Sequence, residues 1–344
     1  MNNTISIKII TQEDVAAIFD SHADRLFEIV EDAFLKASKG EVLFPDKISQ
    51  IFDTQTQNRI NCMPALLGNK VAGLKWVSVF PTNAPKGIQN VTGVMLLSEI
   101  ETGFPIAVID GTLCTQLRTA AVGCVAAKYL APKKVETVGF IGAGEEARMH
   151  FTLLKHLFPS IRTCKVASRH SATEDRFIAE FDKIIPDVHF IACRGDNSQA
   201  VADTDIIVTA ISGQAPVLKA RDVRAGMLYI HVGGWEDEYG VALKADKIVC
   251  DDWNASKHRT QTICRMYKEG LLKDKDIYAD LAEIIAGQKK GRESDEEFIY
   301  FNSVGLSYID LNFAHEIYRE ASLLGLGRDI VLAESDRVDY RCFI

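Results

Sequence analysis

The stretch Val135-Glu136-Thr137-Val138-Gly139-Phe140-Ile141-Gly142-Ala143-Gly144-Glu145-Glu146-Ala147 decides the fold of this chain. Its first half is rich in β-branched and apolar residues and predicts a buried strand. Gly142 and Gly144 stop the strand. Ala147, Met149 and Leu153 then follow at helical spacing. This is G-x-G-x-x-A between a strand and a helix, the pattern of a dinucleotide-binding turn. Gly142 permits the tight turn, Gly144 lets a pyrophosphate approach the backbone, and Ala147 lets helix and strand pack closely. The helix N-terminus opening at Ala143, Glu145 and Glu146 faces the anion. An ordinary glycine turn in another α/β domain is the alternative.

Downstream, residues 162–168 read as a second strand. In such units an acid at the end of this strand accepts from the adenosine ribose 2′-hydroxyl. Here Ser168-Arg169-His170-Ser171 supplies donors and a cation instead, which favours NADP(H). NAD(H) remains possible if Glu174 or Asp175 serves in their place. Strands at 188–192, 206–211, 227–232 and 247–250 alternate with helical stretches, predicting a right-handed parallel sheet. Thr209 and Ala210 end the 206–211 strand on the nicotinamide side. Gly233-Gly234-Trp235-Glu236-Asp237-Glu238 follows the fifth strand, placing acids where a ligand crevice forms, as a general acid/base or as a solvated loop. Residues 252–283 read as helical and polar, 289–297 as a charged loop, 301–306 as the end of a short strand, and 308–324 as a helix returning to the first domain.

Upstream, 5–9 alternates like a strand, Thr11 is placed to cap a helix, and 22–38 is an amphipathic helix ended by Gly40. His22 has no catalytic partner nearby in sequence and reads as a cap or a surface residue. Strands at 47–52, 59–64, 71–79, 93–97 and 105–110, separated by turns such as 68–69, predict a mostly antiparallel sheet. Lys75, between Leu74 and Trp76, is a lysine inside an apolar strand. It is either functional or snorkels to an edge. Residues 112–130 form a helix of small residues, with Arg118 the only charge in its first two-thirds. That arginine faces an anion or forms a structural ion pair.

At 344 residues the chain predicts about two domains, or one large one. Apolar content of 47% and charged content of 25% are those of a globular protein. A net charge of −8 without a basic block argues against nucleic acid. The eight cysteines form no C-x-x-C pair and sit mostly in apolar runs, which favours buried thiols in a reducing cytoplasm and no metal site. No signal peptide or membrane-spanning run is legible, and Cys342 is misplaced for a prenylation box.

From about Glu31 to Leu323 the sequence resembles the ornithine cyclodeaminase/mu-crystallin family. The markers are Met63-Pro64-Ala65, Gly73-Leu74-Lys75, Gly103-x-Pro105-x-Ala107, Leu117-Arg118-Thr119-Ala120-Ala121, the Gly142 turn, residues 242–252 and Ser303-Val304-Gly305. Residues 251–293 look most like the branch that makes 2,3-diaminopropionate by oxidatively splitting an amino-acid/glutamate conjugate. The resemblance implies an α/β fold: a Rossmann domain, 116–309, inserted in an α+β substrate-binding and dimerisation domain, 1–115 plus 310–344. It implies an NAD(P)-dependent oxidoreductase acting on the C–N bond of a small amino or imino acid, working as a homodimer. The alternatives are the conjugate-splitting reaction and an NADPH-dependent small-ligand-binding protein of mu-crystallin type.

Position by position, Lys75 and Arg118 match residues that hold the substrate carboxylate. Met63 and Thr92 match substrate-side positions, Thr119 a cofactor-phosphate contact, and Ser303, Val304 and Gly305 the turn against the nicotinamide. Lys47 stands where the family has a second carboxylate-binding arginine. Trp235 or Glu236 occupies the place of the family's catalytic aspartate, depending on a one-residue gap. Glu236 is the expected proton acceptor and Asp237 the alternative. The Ser168-Arg169 end resembles the NADPH-using branch.

Overall fold

A computed structural model describes residues 4–68, 70–333 and 341. Asn69 of the 68–69 turn and Cys342 lie outside the described residues. The chain divides into two compact units: Met1–Ile29, Lys39–Thr115 and Ser307–Ile344 form the first, Val30–Ser38 and Gln116–Leu306 the second. The second unit therefore interrupts the first in sequence.

In chain order the first strands are β1 (Ile5–Ile10), β2 (Val42–Leu43), β3 (Ile48–Asp53), β4 (Asn58–Leu67), β5 (Val71–Val79), β6 (Val91–Glu99) and β7 (Pro105–Asp110). Next come β8 (Thr137–Ile141), β9 (Thr163–Ala167), β10 (His189–Ala192), β11 (Ile206–Thr209), β12 (Leu228–His231), β13 (Lys247–Cys250), β14 (Ala279–Asp280) and β15 (Ile299–Asn302). The last is β16 (Arg328–Ala333).

In the first unit the sheet order is β16-β1-β7-β6-β5-β4-β2, with β3 also on β4. The β4–β7 meander is antiparallel, because short turns join neighbouring strands. β1 departs from this pattern: it lies parallel to β7 and antiparallel to β16, a strand the sequence did not announce. Period-two alternation separates two faces. Met63, Lys75, Met95 and Ile109 form a cross-strand row on one face; Cys62, Trp76, Val94 and Asp110 form a row on the other. The first row belongs to the core, which the largely buried helix Ser307–Leu324 completes by packing on β4 and β5. Thr11 caps the helix Gln12–Phe19 through a capping box with Asp14.

The second unit is a parallel sheet in the order β10-β9-β8-β11-β12-β15-β13-β14. Its central strands β8, β11, β12, β13 and β15 are almost wholly buried apolar runs, as a sheet covered on both faces requires. The order reverses between β8 and β11, so a crevice opens there at the carboxyl ends. β15 inserts between β12 and β13, so β13 is not the neighbour of β12. The polar stretch expected to be helical over 252–283 is broken into Trp253–Ser256, Thr262–Lys268, Leu281–Ile285, a 3-10 turn and β14. Asp252, Asp274 and Asp280 account for this. Their carboxylates accept backbone and indole N–H groups and so nucleate caps and turns in place of a continuous helix.

Candidate active site

In the second unit β8 ends at Gly142, whose φ is +109°. A Cβ there would meet the Ala210 carbonyl oxygen at 2.5 Å, so only glycine fits. Gly144 opens the helix Glu145–Leu157, with no side-chain cap and open space where a Cβ would stand. The first N–H groups of that helix therefore face a gap that side chains do not fill, which fits a dinucleotide pyrophosphate. Ala143 and Ala147 are buried behind the turn. Glu145 is exposed and 3.3 Å from Arg148, which also pairs with Glu180, so the added negative charge is offset locally. Glu146 is half-buried.

At the end of β9, Ser168 is half-buried while Arg169, His170 and Ser171 are exposed. Glu174 is fully buried and accepts from the backbone N–H groups of Ser168, Arg194 and Gly195 at 2.7–2.9 Å. Asp175 pairs with Arg194. Both acids that stood as alternative ribose readers are thus engaged elsewhere. The helix Ser171–Phe181 opens at His170 with no side-chain cap.

Arg118 and Thr119 are buried on the helix Thr112–Leu130. The Arg118 guanidinium lies against Gly305 so closely that a Cβ at that glycine would sit 2.8 Å from Nη1. Gly305 has φ of +80°, a second reason for glycine. The turn Ser303-Val304-Gly305 is held by Asp251, a residue the sequence reading passed over as a site residue. Its Oδ2 accepts from Val304 N at 2.7 Å and Gly305 N at 2.9 Å. Burial pushes the Asp251 carboxyl up to about 6, against these hydrogen bonds.

Glu236 and Asp237 follow β12, where an acid/base was expected. Both are fully buried and turned inward. Glu236 Oε2 accepts from Thr209 Oγ1 at 2.6 Å and Gly233 N at 3.0 Å, and Oε1 from Ile211 N at 2.7 Å. Its oxygens accept from donors of this unit. Asp237 Oδ1 accepts from Thr262, Tyr300 and Tyr229 hydroxyls at 2.7, 3.1 and 3.3 Å. Burial raises its pKa to about 6, opposed by His231 and by the Thr262 and Tyr300 hydrogen bonds. His231 Nε2 donates to the Gly234 carbonyl at 2.7 Å and lies 3.7 Å from each acid. The loop presents Trp235 in place of an acid, with the Arg265 guanidinium 4.4 Å from the centre of an indole ring. Ala210 is half-buried beside the Gly142 turn.

In the first unit Lys75 does not snorkel. It is 2% exposed and its Nζ lies 2.6 Å from Asp310 Oδ1 on the helix Ser307–Leu324. Met63, Leu74, Met95, Ser307 and Leu311 line the recess around the pair. Asp310 was missed, although a lone acid inside Tyr308-Ile309-Asp310-Leu311 is the same signal that singled out Lys75. Thr92 does not join this group. It lies three residues from Met95 on β6, hence on the opposite face, and its hydroxyl shares a 2.8 Å hydrogen bond with Ser78. Lys47 stands half-buried just ahead of β3.

The sequence matches the Ornithine cyclodeaminase/mu-crystallin family over residues 8–323. The chain belongs to this family. Among curated relatives, it is 34% identical to alanine dehydrogenase of Archaeoglobus fulgidus over 94% of this chain and 97% of that protein. It is 29% identical to N-((2S)-2-amino-2-carboxyethyl)-L-glutamate dehydrogenase of Staphylococcus aureus over 80% of this chain and 82% of that one. Among solved structures, Delta(1)-pyrroline-2-carboxylate reductase of Thermococcus litoralis, in complex with NADH and L-proline, superposes with a TM-score of 0.88. That comparison has 29% identity and covers 94% of this chain and all of that one. Family membership accounts for the fold: a Rossmann domain together with a second α+β domain. Among the described residues no group of side chains is placed to hold a metal, and no helix is long and apolar enough to cross a membrane.

Proposed function

We propose that this family member is an NAD(P)-dependent oxidoreductase acting on the C–N bond of a small amino or imino acid. The observation that carries the reading is the pairing, within one unit, of the open Gly142–Gly144 turn with an arginine fork backed by Gly305. The dinucleotide, when bound, supplies or accepts the hydride. Arg118 offers two parallel donors to a carboxylate, which fixes the α-carbon and supplies orientation. Thr119, Ser303 and Val304 border the dinucleotide in this reading. In reduction the Lys75 ammonium, held by Asp310, gives a proton to the imine nitrogen as the α-carbon takes the hydride, leaving an amine and a neutral Lys75; oxidation runs the same exchange backwards, from neutral Lys75. Met63 walls the substrate side, and Lys47 adds a point charge.

The exposed Arg169 and His170 beside an uncapped helix start favour a 2′-phosphate, hence NADP(H) over NAD(H). A homodimer fits the exposed apolar side chains on the first unit's sheet, among them Ile48, Ile51, Phe52, Trp76 and Val94. Among the described residues the cysteines are unpaired and almost all buried, which fits a cytoplasmic setting. The Staphylococcus aureus relative supports a second reading, oxidative splitting of an amino-acid/glutamate conjugate.

Absorbance of NADPH and NADH, followed against cyclic ketimines, keto acids with ammonia and keto acids with amino acids, tests the assignment. Consumption is expected in at least one arm. Keto acid plus amino acid alone would select the conjugate reaction. Silence throughout with tight cofactor binding would leave a ligand-binding protein. Arg118→Ala is expected to lose roughly a hundredfold or more in kcat/KM, from loss of a charge-assisted fork, with cofactor binding retained. Retained turnover removes Arg118 from the mechanism. Arg169→Ala is expected to shift the NADPH/NADH preference about tenfold toward NADH.

A further inference from the structure

The carboxylate of Glu236 draws its donors from two different loops. Thr209 and Ile211 belong to the carboxyl end of β11, Gly233 to the carboxyl end of β12. The backbone adds to this tie: Val217 N and Leu218 N both donate to the Glu236 carbonyl, and Glu238 N donates back to Leu218 O. Space around the clamp is tight, since a Cβ at Gly233 would stand 2.3 Å from Glu236 Oε1. Asp237, next in sequence, anchors the same segment to β12, β15 and the helix Thr262–Lys268 through Tyr229, Tyr300 and Thr262.

These loops have a defined place in the sheet. The Gly142 turn lies after β8, and the adenosine end lies after β9, on one side of the reversal. β11 and β12 lie on the other side, the nicotinamide half of such a unit. A carboxylate that accepts two backbone N–H groups and a hydroxyl is a strong and directional tie. Glutamine cannot replace it without turning an amide N–H₂ toward at least one N–H donor.

We propose that Glu236 is a positioning residue that holds the β11 and β12 loops in register for the nicotinamide half of the dinucleotide, while touching neither cofactor nor substrate. The inference rests on the dinucleotide reading above. Without Glu236 the adenosine half keeps its own determinants at Gly142, Gly144 and the β9 end, and only the distal half loses order.

The test compares the wild type with Glu236→Gln, and with Thr209→Val as a milder variant that removes one donor and keeps the shape. Dissociation constants are measured for NADPH, for NADH and for the adenosine-half fragments ADP and 2′,5′-ADP. Amide hydrogen exchange is read at Ile211 and Gly233 without any ligand. Glu236→Gln is expected to weaken the preferred dinucleotide about tenfold and leave the preferred fragment within about twofold. Exchange at both amides should be faster, and Thr209→Val should fall between variant and wild type. Equal weakening of dinucleotide and fragment in both variants would make Glu236 a general stability residue and overturn the proposal. So would unchanged binding with unchanged exchange. Wild-type protein that binds neither dinucleotide nor fragment would overturn the cofactor reading itself, and this inference with it.

Discussion

The two units bury charge in opposite ways. In the first, Lys75 and Asp310 meet at 2.6 Å, one cation against one anion, each side chain at most 2% exposed. In the second, Glu236 and Asp237 are buried side by side with, among the described residues, no lysine or arginine bonded to either, and His231 lies 3.7 Å from both. The pair in the first unit is neutralised by its partner. The acids in the second are solvated by hydroxyl and backbone donors. A partner-neutralised charge fails when the partner goes, because the remaining ion is stranded in low dielectric. A donor-solvated acid loses its bonds one at a time and can instead pick up a proton.

This difference sets the largest expected effect. Asp310→Leu removes the buried carboxylate that pairs with Lys75 and is expected to cost about 3–5 kcal/mol in denaturant unfolding. Lys75→Met combined with Asp310→Leu removes both charges from a recess already walled by Met63, Leu74 and Met95. The double variant is expected to regain most of that stability while losing turnover, because Lys75 is the proposed proton carrier. A double variant as unstable as Asp310→Leu alone would break the comparison. Glu236→Gln, by contrast, loses bonds to uncharged donors and is expected to cost about 1–3 kcal/mol.

The same contrast explains what was legible in the sequence. The parallel sheet and the G-x-G-x-x-A turn could be read because buried strands leave unbroken apolar runs and because only glycine fits at Gly142. Lys75 stood out because a charge interrupts an apolar pattern. Asp310 carries the same signal, but it lies 235 residues away and only the fold brings the two together. The direction of Glu236 and Asp237 was not legible. In a short loop, spacing has no period from which to tell an inward carboxylate from an outward one. β16 and the broken 252–283 stretch escaped for a related reason. β16 is largely exposed, so it shows no core alternation, and the 252–283 stretch follows side-chain caps in place of an apolar stripe. Thr92 shows the limit of matching by position, since one step in a strand's parity moved it to the other face.

The smaller effect is a pH dependence, and it sharpens the comparison from the acid-rich side. Burial raises Asp237 to about 6 from an ordinary 3.8, so the folded state holds a proton there that the unfolded chain releases. Its contribution to stability is full below about pH 4 and is lost as pH rises through about 6. In Asp237→Asn the amide oxygen keeps the three hydroxyl donors at the Oδ1 position and the group no longer titrates. The variant is therefore expected to gain on the wild type by about 3 kcal/mol between pH 4 and pH 7. Asp251, raised in the same range, and the acids held low by hydrogen bonds, such as Asp14 and Asp53, are common to both proteins and cancel in the difference. Unfolding free energies of the two proteins at pH 4, 5, 6 and 7 read the effect directly. A gap that stays constant across this range would mean that Asp237 keeps one charge state throughout. The second unit would then neutralise its buried acid as firmly as Asp310 neutralises Lys75, and the two regions would differ in geometry alone.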